Sequence, residues 1–93
     1  MHIGLLTLRF HLEGCSSLKQ KRSRLGGLRD RFGRHPQVAA CESAAADSHD
    51  KAQWSFACIA QNRSDVTRIL DKIEDFAASE LDAVIYQREL EFL

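Results

Sequence analysis

The chain has 93 residues, 44% of them hydrophobic and 28% charged, and its thirteen basic and thirteen acidic side chains leave no net charge. That length makes one domain, residues 1–93, able to fold without staples, and the apolar content excludes a disordered chain. No apolar run approaches the roughly 20 residues that cross a bilayer, and Met1–Leu12, interrupted by His2, Arg9 and His11, lacks a secretory-leader pattern, so a cytoplasmic protein without membrane contact is expected.

Met1–Glu13 reads as a strand. Gly4, Leu6, Leu8, Phe10 and Leu12 alternate with Ile3, Leu5, Thr7, Arg9 and His11, so the first set lines a core face and the second a partly covered one. Gly14 and Cys15 break the strand. Ser16–Arg34 then reads as a helix, with Leu18, Leu25, Leu28 and Phe32 in one narrow stripe. Ser17 followed by Gln20 has capping-box spacing, and Gly33 and Pro36 end the helix. Gly26 and Gly27 each cost about 0.8–1 kcal/mol relative to alanine, which packing must offset unless the helix bends there.

This helix also concentrates the charge. Lys19, Lys21, Arg22, Arg24, Arg29, Arg31 and Arg34 face the single acid Asp30, a local excess of six in a chain that is neutral as a whole. The remainder is correspondingly acidic, so the molecule is polarised.

Gln37–Ala46 reads as a weak strand, Asp47–Asp50 as a polar turn and Gln53–Gln61 as a stronger strand with Trp54, Phe56, Cys58 and Ala60 on one face. The two strands make an antiparallel hairpin. Pairing symmetric about the turn places Cys41 opposite Cys58, where a cross-strand disulfide is conceivable. An odd cysteine count without a C-x-x-C pair argues instead for reduced thiols. Asn62–Glu80 is the clearest helix, its apolar stripe formed by Val66, Ile69, Leu70, Ile73, Phe76 and Ala77 and its start capped by Asn62 or Ser64. Ala83–Leu93 reads as a final strand.

Strand, helix, strand, strand, helix, strand with right-handed crossovers gives an α+β, ferredoxin-like βαββαβ sandwich: a four-stranded antiparallel sheet with both helices on one face. In the expected arrangement the first and third strands are central and parallel, and the second and fourth are edges. Leu6, Leu8 and Phe10 then meet Trp54, Phe56 and Cys58 beneath Leu25, Leu28, Phe32, Ile69 and Ile73.

Gly4-Leu5-Leu6-Thr7-Leu8 on the first strand, followed by Ser17-Leu18-Lys19-Gln20-Lys21-Arg22, resembles the YlxP-like family of short bacterial proteins. Leu25, Leu28, Asp30, Phe32, Val38 and Glu42 extend the likeness nearly end to end. Asp47 and Lys51 match an acid and a base of the family's hairpin, whereas His49 stands in place of its usual Trp, and Gly26 and Gly27 replace helix-supporting residues. The resemblance implies a ferredoxin-like fold and a ribosome- or RNA-associated role, because the family's genes lie among those for translation initiation and ribosome maturation.

The functional expectation is a non-enzymatic module that binds structured RNA or a ribosomal subunit. Lys19, Lys21, Arg22, Arg24, Arg29 and Arg31 would meet phosphates, giving salt-dependent and weakly sequence-specific contact. Lys21 lies near the apolar stripe, so its stem is expected to cover core while its head reaches water. The rival is a protein-interaction or dimerisation module that uses Ile3, Leu5 and Ile59 on the open sheet face. An aromatic base-stacking platform is not expected, since the third strand offers only Ser55, Ala57, Ile59 and Gln61 there. Glu42, Asp47, His49 and Asp50 match no metal-ligand spacing and read as a polar hairpin tip. Cys15 precedes a helix N-terminus, which favours a thiolate, yet no histidine is tied to it by spacing. Neither a cofactor nor a catalytic residue is expected.

Overall fold

Strict alternation in β1 (His2–His11) buries Gly4, Leu6, Leu8 and Phe10 and leaves the residues between them half-covered. The computed structural model describes residues 1–93. After β1 come α1 (Leu18–Phe32), β2 (Val38–Ala44), β3 (Lys51–Ala60), α2 (Arg63–Glu80) and β4 (Val84–Phe92). The sheet order is β2-β3-β1-β4, so β1 and β3 are central and the other two strands are edges, as the element order implies. This is the α+β, ferredoxin-like sandwich. No helix is long and apolar enough to cross a membrane.

One strand direction differs from expectation. All three ladders are antiparallel, so β1 and β3 run opposite ways rather than parallel. The cause lies in the connections. A helical crossover returns β2 in the direction of β1, and the hairpin then reverses the chain into β3.

Eighteen buried apolar residues form the core, including every side chain expected to meet there: Leu6, Leu8 and Phe10 from β1, Trp54, Phe56 and Cys58 from β3, Leu25, Leu28 and Phe32 from α1, and Ile69 and Ile73 from α2. Phe32 stands edge-on to Phe56 and Phe76, with centroids 6.4 and 5.5 Å away. Helix α1 runs unbroken through Gly26 and Gly27. A Cβ on Gly27 would lie 3.2 Å from Phe76 Cζ, so the missing side chain lets α2 approach, and that packing offsets the helical cost. Ser17 caps α1 by accepting from Gln20 N at 3.1 Å, while Gln20 Oε1 reaches one residue further back, to Ser16 N at 3.0 Å. Asn62 holds the N-cap position of α2 without a side-chain cap bond, and its amide donates to Asp65 instead.

Gly4 permits a second close approach, of α2 onto β1. A Cβ there would sit 2.6 Å from Val66 Cγ1 and 3.0 Å from Leu70 Cδ1. Gly4→Ala is therefore expected to destabilise by about 1–3 kcal/mol through overpacking, read as a lower urea midpoint at unchanged slope.

The symmetric hairpin register does not form. Cys41 pairs with Ser55 and Cys58 with Val38, and the register shifts between Glu42 and Ala44. Cys41 consequently lies exposed on the open face, Cys58 is buried under the helices, and all three thiols are free. The shift from the symmetric register is an odd number of residues, which turns the two thiols to opposite faces of the sheet. Burial pushes the Cys58 thiol above its ordinary value of 9.0. The neutral thiol favours the fold fully below that value, and the contribution fades as pH rises towards the folded-state value. Stability is thus expected to decline above about pH 9, and Cys58→Ala to flatten that decline in alkaline urea melts despite a lower plateau.

Candidate functional site

The seven cations of the first helix region divide into three groups. At about 100° per residue, Lys21 falls in line with Leu25, Leu28 and Phe32. It is only 3% exposed, so its head group is held within the fold. The ammonium donates to the carbonyls of Ala45, Ser48 and Lys51 at 2.8, 2.8 and 2.9 Å. Glu42 Oε2 lies 2.9 Å from the same nitrogen, but the three protons are taken, so this carboxylate oxygen is a counter-charge that receives no hydrogen bond. Lys21 thus pins the β2–β3 connection, including Ala45, whose φ of 60° is left-handed. Its expected place among the phosphate contacts is corrected: the head group is consumed inside the fold.

The second group leans towards α2 and β4. Arg24 Nε lies 3.2 Å from Asp82 Oδ2 and donates to Asp82 O, while Nη1 donates to Glu13 O. Its side chain is 18% exposed, so Arg24 joins the end of β1 to the turn before β4 rather than facing a partner. Arg31 is exposed but lies over the Phe76 ring, 4.9 Å from its centroid.

In the third group, Arg22 and Arg29 face the strands. Lys19, Arg22, Arg29 and Arg34 are exposed, and none has a carboxylate oxygen within 4.0 Å. Arg29 lies over Trp54, with its guanidinium carbon 5.6 Å from the ring centroid. Between this flank and the sheet runs a groove of about 190 Å³, walled by Arg22, Arg29 and Asp30 from α1 and by Glu42 and Trp54 from the strands. Gly26 faces open space there. Trp54 and Glu42 are direct cross-strand partners. Trp54 Nε1 is buried with no hydrogen-bond partner, as is Glu42 Oε2.

The open sheet face carries a polar row beside a small apolar groove lined by Leu5, Ala39 and Ala57, and Ile3 and Leu5 there are half-buried. Arg9 bonds Glu89 Oε1 at 2.7 Å and Gln53 Oε1 at 2.8 Å, Gln53 donates to Ser43, and Ser55 Oγ lies within hydrogen-bonding distance of both Ser43 and Thr7. Apolar exposure falls at the two ends of this row, at Ile59 on one side and at Val84 and Tyr86 on the other. Cys15 is buried, and its thiol donates to Ser17 O. Glu42 turns inward to Lys21, away from the exposed His49 at the hairpin tip.

Helical spacing was sufficient to place Lys21 beside the stripe. The roles of Glu42 and Trp54 escaped the sequence reading, which treated the first as hairpin polarity and the second as core. The available signal was an acid in an otherwise small and apolar edge strand.

A family model described as "Protein of unknown function (DUF503)" matches residues 3–90. No curated protein matches the chain. Among solved structures, the chain is similar to Bacillus subtilis YXEP protein, a dinuclear metal binding peptidase from the M20 family, at 9% identity and a TM-score of 0.49 over 98% of this chain and 25% of the other. It is also similar to an amidase of the hydantoinase/carbamoylase family from Burkholderia phymatum, at 15% identity and a TM-score of 0.48 over 99% of this chain and 28% of the other. The chain spans about a quarter of the length of each.

Proposed function

Since the chain belongs to the DUF503 family, whose description assigns no activity, we propose from its own surface that it is a non-enzymatic, cytoplasmic RNA-binding module that acts on the ribosome or a precursor. One observation carries this reading. Of the helix cations, Lys19, Arg22, Arg29, Arg31 and Arg34 are exposed and without a carboxylate partner; Arg31 leans over Phe76 of α2, which leaves four near α1 in a chain with no net charge. A cluster of that sign attracts a polyanion, and phosphate contacts position it without reading its sequence. The likeness of Ser17–Arg22 to the YlxP-like pattern supports the ribosome-associated form of the proposal.

The contact set differs from the one the sequence suggested. Lys21 and Arg24 drop out because their head groups are held internally, Arg31 drops out because its guanidinium lies over Phe76 on the α2 side, and Arg34 joins because it has no carboxylate partner. Four contacts to single-stranded RNA give a slope of log affinity on log salt of about −3. The test is sedimentation of the native protein with ribosomal subunits at low and high salt, together with filter binding to ribosomal RNA across a salt series. Binding at low salt with a slope near that value supports the proposal. Absence of binding at low salt, or binding indifferent to salt, ends it.

A second reading has its own observation. Ile59, Val84 and Tyr86 are 43%, 65% and 53% exposed on the sheet side away from the helices, as an interaction or homodimer surface requires. Light scattering separates the two, because a dimer that persists in high salt and has no RNA affinity favours this one.

A further inference from the structure

We propose that the groove between α1 and the β2–β3 edge seats the ribose 2′-hydroxyl of a bound ribonucleotide beside its phosphate, making this flank selective for RNA over DNA. The inference rests on the RNA-binding reading and adds the feature of RNA that is recognised. Folded proteins rarely leave a buried polar atom without a partner, and this groove leaves two. Trp54 is 6% exposed, and its Nε1, which can only donate, has no acceptor. Glu42 Oε2, which can only accept when ionised, is ion-paired with Lys21 Nζ at 2.9 Å but receives no hydrogen bond, because the three ammonium protons are spent on carbonyls. The two side chains face each other across the β2–β3 ladder, where directly opposed Cβ atoms lie about 4.5–5.5 Å apart.

A donor and an acceptor that make no hydrogen bond, carried on two paired residues, suit a group that is both. A hydroxyl has that character, and so does water. The position of the pair selects between them. Arg22 and Arg29 outnumber Asp30 on the α1 wall of the same groove, and Gly26 leaves that side open, so the group that enters sits next to a site for an anion. Ribose in RNA presents a hydroxyl adjacent to a phosphate, and deoxyribose does not. Arg29 lies over the Trp54 ring, so a phosphate that draws the guanidinium outward uncovers the indole. The phosphate and hydroxyl contacts are then coupled: the first admits the second.

The experiment measures binding of the whole protein to three oligonucleotides of one sequence, as RNA, DNA and 2′-O-methyl RNA, at fixed salt. RNA is expected to bind about tenfold more tightly than either of the others, the worth of one well-made hydrogen bond to a charged partner. Trp54→Phe is expected to collapse that ratio towards one while leaving the salt slope intact. Trp54 is the only tryptophan, so its fluorescence gives a second readout in the unaltered chain: a nucleoside 3′-monophosphate should change it at about tenfold lower concentration than the 2′-deoxy analogue, which has the phosphate alone. Equal affinity for RNA and DNA with the expected salt slope overturns the hydroxyl seat and leaves the phosphate reading standing. Loss of binding to every polymer and mononucleotide removes both. A fluorescence response to the ribonucleotide without polymer binding keeps the seat, makes its ligand a free ribonucleotide and removes the polymer reading.

Discussion

Lys21→Met is expected to lower the unfolding free energy by about 3–5 kcal/mol, the cost of removing one partner from a buried ion pair. Methionine keeps the apolar stem against the core and deletes the ammonium. Glu42 Oε2 is left buried with no counter-charge, and the carbonyls of Ala45, Ser48 and Lys51 lose their common donor. Ala45 would also lose the bond that holds it in a left-handed conformation, which alone disfavours an L-residue by about 1–2 kcal/mol. For a domain of this size the loss corresponds to a fall in Tm of roughly 12–40 °C. Adding Glu42→Gln to Lys21→Met should recover part of it, because the stranded charge disappears while the three carbonyls remain unmet. Urea denaturation of the single and double variants measures both effects. A single variant within 1 kcal/mol of the parent, on the scale of an exposed ion pair, would show that the buried ammonium does not hold the hairpin.

The second large effect separates the two flanks of α1. Arg22→Ala with Arg29→Ala should weaken RNA binding by about 25-fold near 0.1 M salt, since each contact changes log affinity by about 0.7 per decade of salt. The slope itself should become shallower by about 1.4, with little change in stability. Arg24→Ala with Arg31→Ala should do the reverse. Arg24 is bonded to Asp82 and to Glu13 O, and Arg31 lies over Phe76, so this pair is expected to lower stability by about 1–3 kcal/mol and leave the salt slope unchanged. Filter binding and thermal melts on the same two proteins decide the matter. Equal losses of affinity from both flanks would mean that the helix acts as an undirected positive rod.

Legibility followed the range of the interaction. The alternation in β1, the stripe on α2 and the Ser17–Gln20 spacing are local patterns, and each reappears in the fold. The hairpin was legible as a hairpin but not in its register. That depends on the bulge after Glu42 and on the Lys21 contacts that hold the turn, neither of which is encoded within the two strands. The charged helix was legible as a concentration of cations, whereas the destination of each cation was not.

Composition and periodicity by themselves determined the element order, the core-facing residues, the sandwich they imply and the gathering of positive charge near one helix. These follow from backbone geometry, in which a side chain's face is set by its position along its own element. Tertiary structure alone decided that Lys21 points into the fold, that Arg24 is tied to Asp82, and that Trp54 and Glu42 stand side by side with unmet polar atoms. A charge takes its partner from whatever the folded chain brings within a few ångströms. For these residues the partners come from distant segments: 24 to 30 residues away for the carbonyls that hold Lys21 and 58 for the Arg24–Asp82 contact.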